Sequence, residues 1–148
     1  MNRFLILIFS ALVLASCSKN TMSKIPSISG LKLYPADSFI IGVDTAIMKF
    51  DFADGDADIA NDPKSMVYVK DSRYDTGFQA YEFPSITSTI EDPNKGLIGT
   101  VYLLPIQPTP RDSVHYHKGD TLTYEVYITD RAGNQSNHLI SAPFYLRP

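Results

Sequence analysis

The chain has 148 residues, with 13 lysines and arginines against 16 aspartates and glutamates, for a formal net charge of −3. That balance argues against nucleic acid as a partner, because gripping a phosphate backbone takes a clustered positive surface. A single cysteine, Cys17, rules out an intramolecular disulfide, so stability has to come from packing.

The chain opens with Arg3, an apolar run from Phe4 to Leu14, and the small residues Ala15 and Ser16 ahead of Cys17. This is the layout of a secretory signal: a positive start, a greasy middle and small residues before the cut. The run is too short for a comfortable span, since crossing ~30 Å of hydrocarbon takes about 20 apolar residues. Leu14-Ala15-Ser16-Cys17 resembles the lipobox of bacterial lipoproteins. The resemblance implies cleavage before Cys17, a diacylglycerol on its thiol and a third acyl chain on its new amino group. Several acyl chains hold a protein on a bilayer essentially permanently, at ~0.8 kcal/mol per buried CH₂. Ser18, in place of an acidic residue, fits the sorting pattern that sends lipoproteins of Gram-negative bacteria to the outer membrane. It leaves both the periplasmic and the surface face open. Losing Met1–Ser16 removes one base, Arg3, and no acid, so the net charge of −3 becomes −4. The expected organisation is a signal peptide over 1–16, a lipidated cysteine with a flexible tether over 17–29, and one domain over 30–148.

From residue 30 onward the chain alternates apolar and polar residues in short runs separated by Pro, Gly, Asn and Asp clusters, with no sustained helical spacing. This is an all-β pattern. Strands are expected over Gly30–Tyr34, Thr45–Ala53, Met66–Lys70, Phe78–Phe83, Ile98–Leu104, Leu122–Asp130 and His138–Leu146. In the second, Ala46, Met48, Phe50 and Phe52 point inward; in the sixth, Leu122, Tyr124, Val126 and Ile128 do. About seven antiparallel strands fit a two-sheet sandwich. Pro105-Ile106-Gln107-Pro108-Thr109-Pro110 reads as a stiff crossover.

The stretch from Thr123 to Ser136, TYEVYITDRAGNQS, resembles the penultimate strand and following turn of bacterial immunoglobulin-like and fibronectin type III-like domains. The resemblance implies an immunoglobulin-like sandwich, with Tyr124 in the position of a tyrosine corner. Antibody-type domains also carry a tryptophan and a cysteine pair, which this chain lacks. The fold alone assigns no activity.

Between Asp51 and Asp62 lie five carboxylates: Asp51, Asp54, Asp56, Asp58 and Asp62. Crowded carboxylates repel unless they are solvated or neutralised, and a hard cation such as calcium takes six to eight oxygens at about 2.3–2.6 Å. A structural calcium ion is therefore one expectation, and a solvated acidic turn is the other. The EF-hand template fails here, because Ile59 stands at the turn glycine and Ser65 at the bidentate glutamate. The segment also resembles the Asp-Gly-Asp-x-Asp-Ile stretch of small secreted β-sandwich lipoproteins that have no assigned activity.

His115 and His117 would face one side of an extended segment, with His138 as a third candidate ligand, but two neighbouring histidines do not complete a metal site. Ser136 and Ser141 lie near His138 without a nucleophile elbow, and acids gathered in one loop do not flank a glycosidic cleft. Tyr68, Tyr102 and Tyr127 fall opposite the core rows of their strands and are candidates for a protein or glycan contact surface. The expected function is thus a membrane-anchored, noncatalytic binding or assembly module of the cell envelope. A calcium-dependent carbohydrate-binding module is the main alternative, and an envelope hydrolase the weaker one.

Overall fold

The computed structural model describes residues 22–86, 92–106, 108–110 and 112–148. The expected signal peptide and Cys17 lie outside them. The described chain is essentially all-β, with three sheets and one short helix. Strands β1 (Ser27–Tyr34), β3 (Ala46–Asp54) and β6 (Leu97–Ile106) form one sheet in the order β1-β3-β6. A second sheet has the order β5-β4-β8-β9, from β4 (Met66–Asp71), β5 (Gln79–Glu82), β8 (Tyr124–Thr129) and β9 (Leu139–Ile140). A third joins β2 (Ser38–Ile40), β10 (Phe144–Arg147) and β7 (Asp120–Leu122), with β10 parallel to β2 and antiparallel to β7.

The alternation seen in the sequence becomes the core. Ala46, Met48 and Phe50 of β3 are wholly buried, Phe52 nearly so, and they meet Val67 and Val69 of β4 and Tyr124, Val126 and Ile128 of β8 in one cluster. Phe52 packs edge-on against Phe83 across the interior, with ring centroids 5.3 Å apart. Both long pairings of β3 carry an irregularity. Gly30 and Leu31 intervene between Ser29↔Asp51 and Lys32↔Lys49, and Gly30 takes φ +65°, which a side chain resists. On the other flank the register shifts between Ala46↔Ile106 and Met48↔Leu103, which places Pro105 at the shift, where a missing N–H is tolerated. The expected crossover at Pro105 and Ile106 is therefore the end of a strand.

Three further expectations need correction. Ser27–Ser29 belongs to β1, held by Asn137, whose amide accepts from the Ile28 N–H at 2.9 Å and donates to the Ile28 carbonyl at 3.0 Å. The expected sixth strand breaks at Thr123, whose N–H and C=O both bond Ser72, so β7 pairs with β10 while β8 pairs with β4. The segment carrying His115 and His117 is a helix, α1 (Ser113–Lys118), capped by Asp112. Residues two apart on a helix diverge by about 200°, so these two histidines do not share a face.

Pairing also fixes the ends of the sandwich. Ser27↔Ala53 and Met66↔Thr129 lie at one end, with Asp71↔Tyr124 at the other. At the Asp71 end, Arg73 is buried between Asp71 and Asp120, at 2.6 and 3.1 Å. Burial pulls its pKa down, but the hydrogen bonds and charges of its carboxylate partners outweigh this and hold it above the usual arginine value. Removing one member of such a cluster strands the others. Arg73→Met is expected to cost about 3–5 kcal/mol in urea denaturation, with much of the loss recovered when Asp71→Asn and Asp120→Asn are added. A loss under about 1 kcal/mol would contradict this.

Candidate cation site

The strand period that buries Ala46, Met48, Phe50 and Phe52 does not stop at the last apolar residue. It carries Asp54, the final residue of β3, into the same interior at 0 % exposure. The chain then turns through Ala57 and Asn61, both at positive φ (57° and 59°), while Ala57, Ile59 and Ala60 sink into the core and pin the loop.

Within this loop each of three carboxylates has one oxygen engaged and one left over. Asp54 Oδ2 accepts from the Asp58 N–H at 2.8 Å. Asp58 Oδ2 accepts from the Ala132 N–H at 3.1 Å. Asp56 Oδ2 lies 3.8 Å from Lys24 Nζ. The three Oδ1 atoms of Asp54, Asp56 and Asp58 are buried with no hydrogen-bond donor. Carboxylate oxygens of the three residues lie within 4.8 Å of one another. Two oxygens bound to one ion at about 2.4 Å can be no more than about 4.8 Å apart, so this spacing suits a shared cation.

The surroundings intensify the repulsion. Asp130, at the end of β8, is also fully buried, and both of its oxygens are occupied by Asn134, the backbone N–H at 2.7 Å and the side-chain amide at 2.8 Å. Arg131 is turned onto loop carbonyls, its N–H and Nε reaching the Asp58 carbonyl at 3.0 and 3.2 Å. Burial first, then the charges of Asp56, Asp58 and Asp130, push the Asp54 carboxyl up from 3.8 to about 7, against the backbone hydrogen bond from Asp58. The Asp58 carboxyl is also raised, by burial and then by Asp130 and Asp56. Arg131 opposes this at Asp58, yet both carboxyls stay raised, and either protons or a hard divalent cation would offset the excess negative charge.

The other two aspartates of the expected set are elsewhere. Asp51 faces outward from β3, accepting from the Thr100 hydroxyl at 2.6 Å. Asp62 closes its own turn by accepting from the Lys64 N–H at 2.8 Å. Asp130 enters the neighbourhood from a turn that reads as purely structural in the sequence; only its distance along the chain hid it.

The remaining candidates serve the fold. The Ser136 and Ser141 hydroxyls accept from the Ile128 and Tyr124 N–H groups, each at 3.0 Å, substituting for strand partners along β8. His138 Nδ1 lies 2.7 Å from Glu125 Oε1, and His115 Nδ1 lies 2.7 Å from Asp112 Oδ1. Among the described residues no histidine joins a metal-ligand group. Tyr68 stacks on Tyr127 at 4.5 Å, and Tyr127 on His138 at 4.6 Å, so both ring faces of Tyr127 are covered. Tyr102 stands on the other sheet, 57 % exposed, so the three tyrosines do not form a common surface. A cleft of about 240 Å³ opens beside Arg73, Tyr74 and Tyr81 at the far end, where the guanidinium is already held by its two carboxylates.

Among the described residues no helix is long and apolar enough to cross a membrane. No family model, curated protein or solved structure matches the chain.

The raised Asp54 pKa sets a sign. Its folded value, about 7, exceeds the ordinary 3.8, so the folded state binds the extra proton between these values. The metal-free domain therefore loses stability as pH rises from about 4 to about 7. A hard cation held by these carboxylates would bind their ionised form, so its stabilisation would grow as pH rises through about 7. Thermal unfolding of metal-stripped protein at pH 5 and pH 8 should show the lower Tm at pH 8, and Asp54→Asn should flatten the difference. A metal-free Tm that climbs across this window would contradict the assignment.

Proposed function

We propose that this chain is a lipoprotein of the Gram-negative outer membrane, held by lipid on Cys17, whose single immunoglobulin-like domain acts as a noncatalytic binding or assembly module organised by calcium. The observation that carries the cation is the set of three buried, donorless oxygens on Asp54, Asp56 and Asp58. The placement rests on the leader and on Leu14-Ala15-Ser16-Cys17. The immunoglobulin-like reading is supported by the division of strands. Leaving aside the short third-sheet strands, the first, second and fifth lie in one sheet, and the third, fourth, sixth and seventh in the other. That matches the A-B-E and C-F-G grouping of such sandwiches.

A noncatalytic role is supported by where the reactive groups are employed. Ser136 and Ser141 complete strand edges, and Arg73 with its two aspartates forms a closed ion cluster. The partner is a protein or a glycan: Tyr127 is covered on both ring faces, whereas Tyr102 on the other sheet is 57 % exposed.

Titrating the metal-stripped protein with calcium by calorimetry tests the reading. One ion is expected, with a Kd in the roughly 10⁻⁴–10⁻³ M range of extracellular modules, and a rise in Tm. Asp54→Asn, Asp56→Asn and Asp58→Asn should each weaken binding at least about tenfold, whereas Asp51→Asn and Asp62→Asn should leave it within about twofold. Absence of heat and of any Tm change would remove calcium from the account. For the anchor, mass spectrometry of native material should find acyl chains on Cys17; an unmodified thiol would refute it.

A further inference from the structure

The segment that precedes β1 does not hang free. Residues 22–26 cross the acidic loop between two of the proposed cation ligands, at Gly55, the residue that separates Asp54 from Asp56. The Gly55 N–H donates to the Ser23 carbonyl at 2.8 Å. A Cβ at position 55 would overlap the carbonyl oxygens of both Met22 and Ser23, so the crossing exists only because that residue has no side chain. Lys24 Nζ lies 3.8 Å from Asp56 Oδ2, and Pro26 is fully buried just before β1 begins. The Ile25 N–H donates to the Ser23 hydroxyl at 3.0 Å, folding the segment back on itself.

The Lys24 side chain is 79 % exposed, and an ion pair made by so exposed a group contributes little. The Gly55–Ser23 hydrogen bond and the close packing on Gly55 seat the segment on the loop. Both depend on the loop keeping its shape, yet the residues on either side of Gly55 are carboxylates that bring oxygens within 4.8 Å of each other and of Asp58. Without a counterion, their repulsion works to open the turn on which Ser23 rests; a shared cation closes it.

We propose that the cation held by Asp54, Asp56 and Asp58 locks residues 22–26 onto the β3–β4 loop, so that its occupancy decides whether the domain stands rigidly on the segment leading to Cys17 or swings on it. This rests on the cation reading above. By reciprocity, docking of the segment strengthens cation binding by the same factor. Met22 lies five residues after Cys17, which at full extension is at most about 18 Å. A lipid at Cys17 thus keeps the acidic loop close to the bilayer, and the lock sets how the domain stands off from it.

The test uses the full lipidated protein in detergent micelles and follows trypsin cleavage after Lys24, with cleavage after Lys95 in the β5–β6 connection as internal reference and calcium binding measured in parallel by equilibrium dialysis. Saturating calcium should slow cleavage after Lys24 at least about tenfold relative to Lys95, and Asp54→Asn should abolish the protection. Gly55→Ala, which leaves every carboxylate in place, should expose Lys24 even with calcium bound and weaken calcium binding by about the same factor. If calcium binds but leaves the Lys24 rate unchanged, or if Gly55→Ala remains protected, the lock is wrong and the cation site stands. If no calcium binds, the site and the lock fall together.

Discussion

Burial of the Asp54 carboxylate at the end of β3 is the constraint on which the rest of this structure turns. A strand that alternates strictly from Ala46 has no means of excusing its last residue, so the carboxylate arrives in the interior with the phenylalanines. Burying a charge without a partner is costly, and such a group either neutralises itself or recruits a counterion. The loop that follows adds two more carboxylates and directs one oxygen of each to the same place. Three features of this end of the molecule surround that charge: the β3–β4 loop pinned by Ala57, Ile59 and Ala60, the Asp58 contacts to the β8–β9 turn, and the seat for the entering chain at Gly55.

The two ends of the sandwich balance charge in opposite ways. At the far end Arg73 supplies internally what Asp71 and Asp120 require, and the cluster is complete within the chain. At the near end Arg131 bonds loop carbonyls and opposes the charge of Asp58, Lys24 lies 3.8 Å from Asp56, and the Oδ1 atoms of Asp54, Asp56 and Asp58 still have no donor. A closed cluster serves stability; an open one makes stability depend on what the medium contains. The open cluster sits where residues 22–26 enter the domain, so the medium has a hold on the geometry of that entry.

Much of the fold was legible in the sequence, because strand alternation is a local signal. The inner rows of β3 and β8 were readable residue by residue, since each is set by a two-residue period against a single core. Features that depend on distant partners were not. Nothing local in Leu122-Thr123-Tyr124 reveals that Ser72 takes both backbone groups of Thr123 and sends the chain from one sheet to another. The α1 turn around His115 is too short to show helical period, and β2 is only three residues long. In the site, Asp54, Asp56 and Asp58 were visible as a spacing, but Asp51 and Asp62 shared that spacing and point away. What separates them is the face of β3 on which each falls and a turn that Asp62 closes for itself. Asp130 and the Gly55–Ser23 crossing come from tertiary approach and had no local mark.

The most direct test of the central claim is a crystal structure of the protein grown with calcium, with anomalous scattering to locate the ion. The account predicts one peak at about 2.3–2.6 Å from the Oδ1 atoms of Asp54, Asp56 and Asp58, with Asp54 still buried and Ser23 still seated on Gly55. Carboxylates turned outward to solvent, with no peak among them at millimolar calcium, would contradict it.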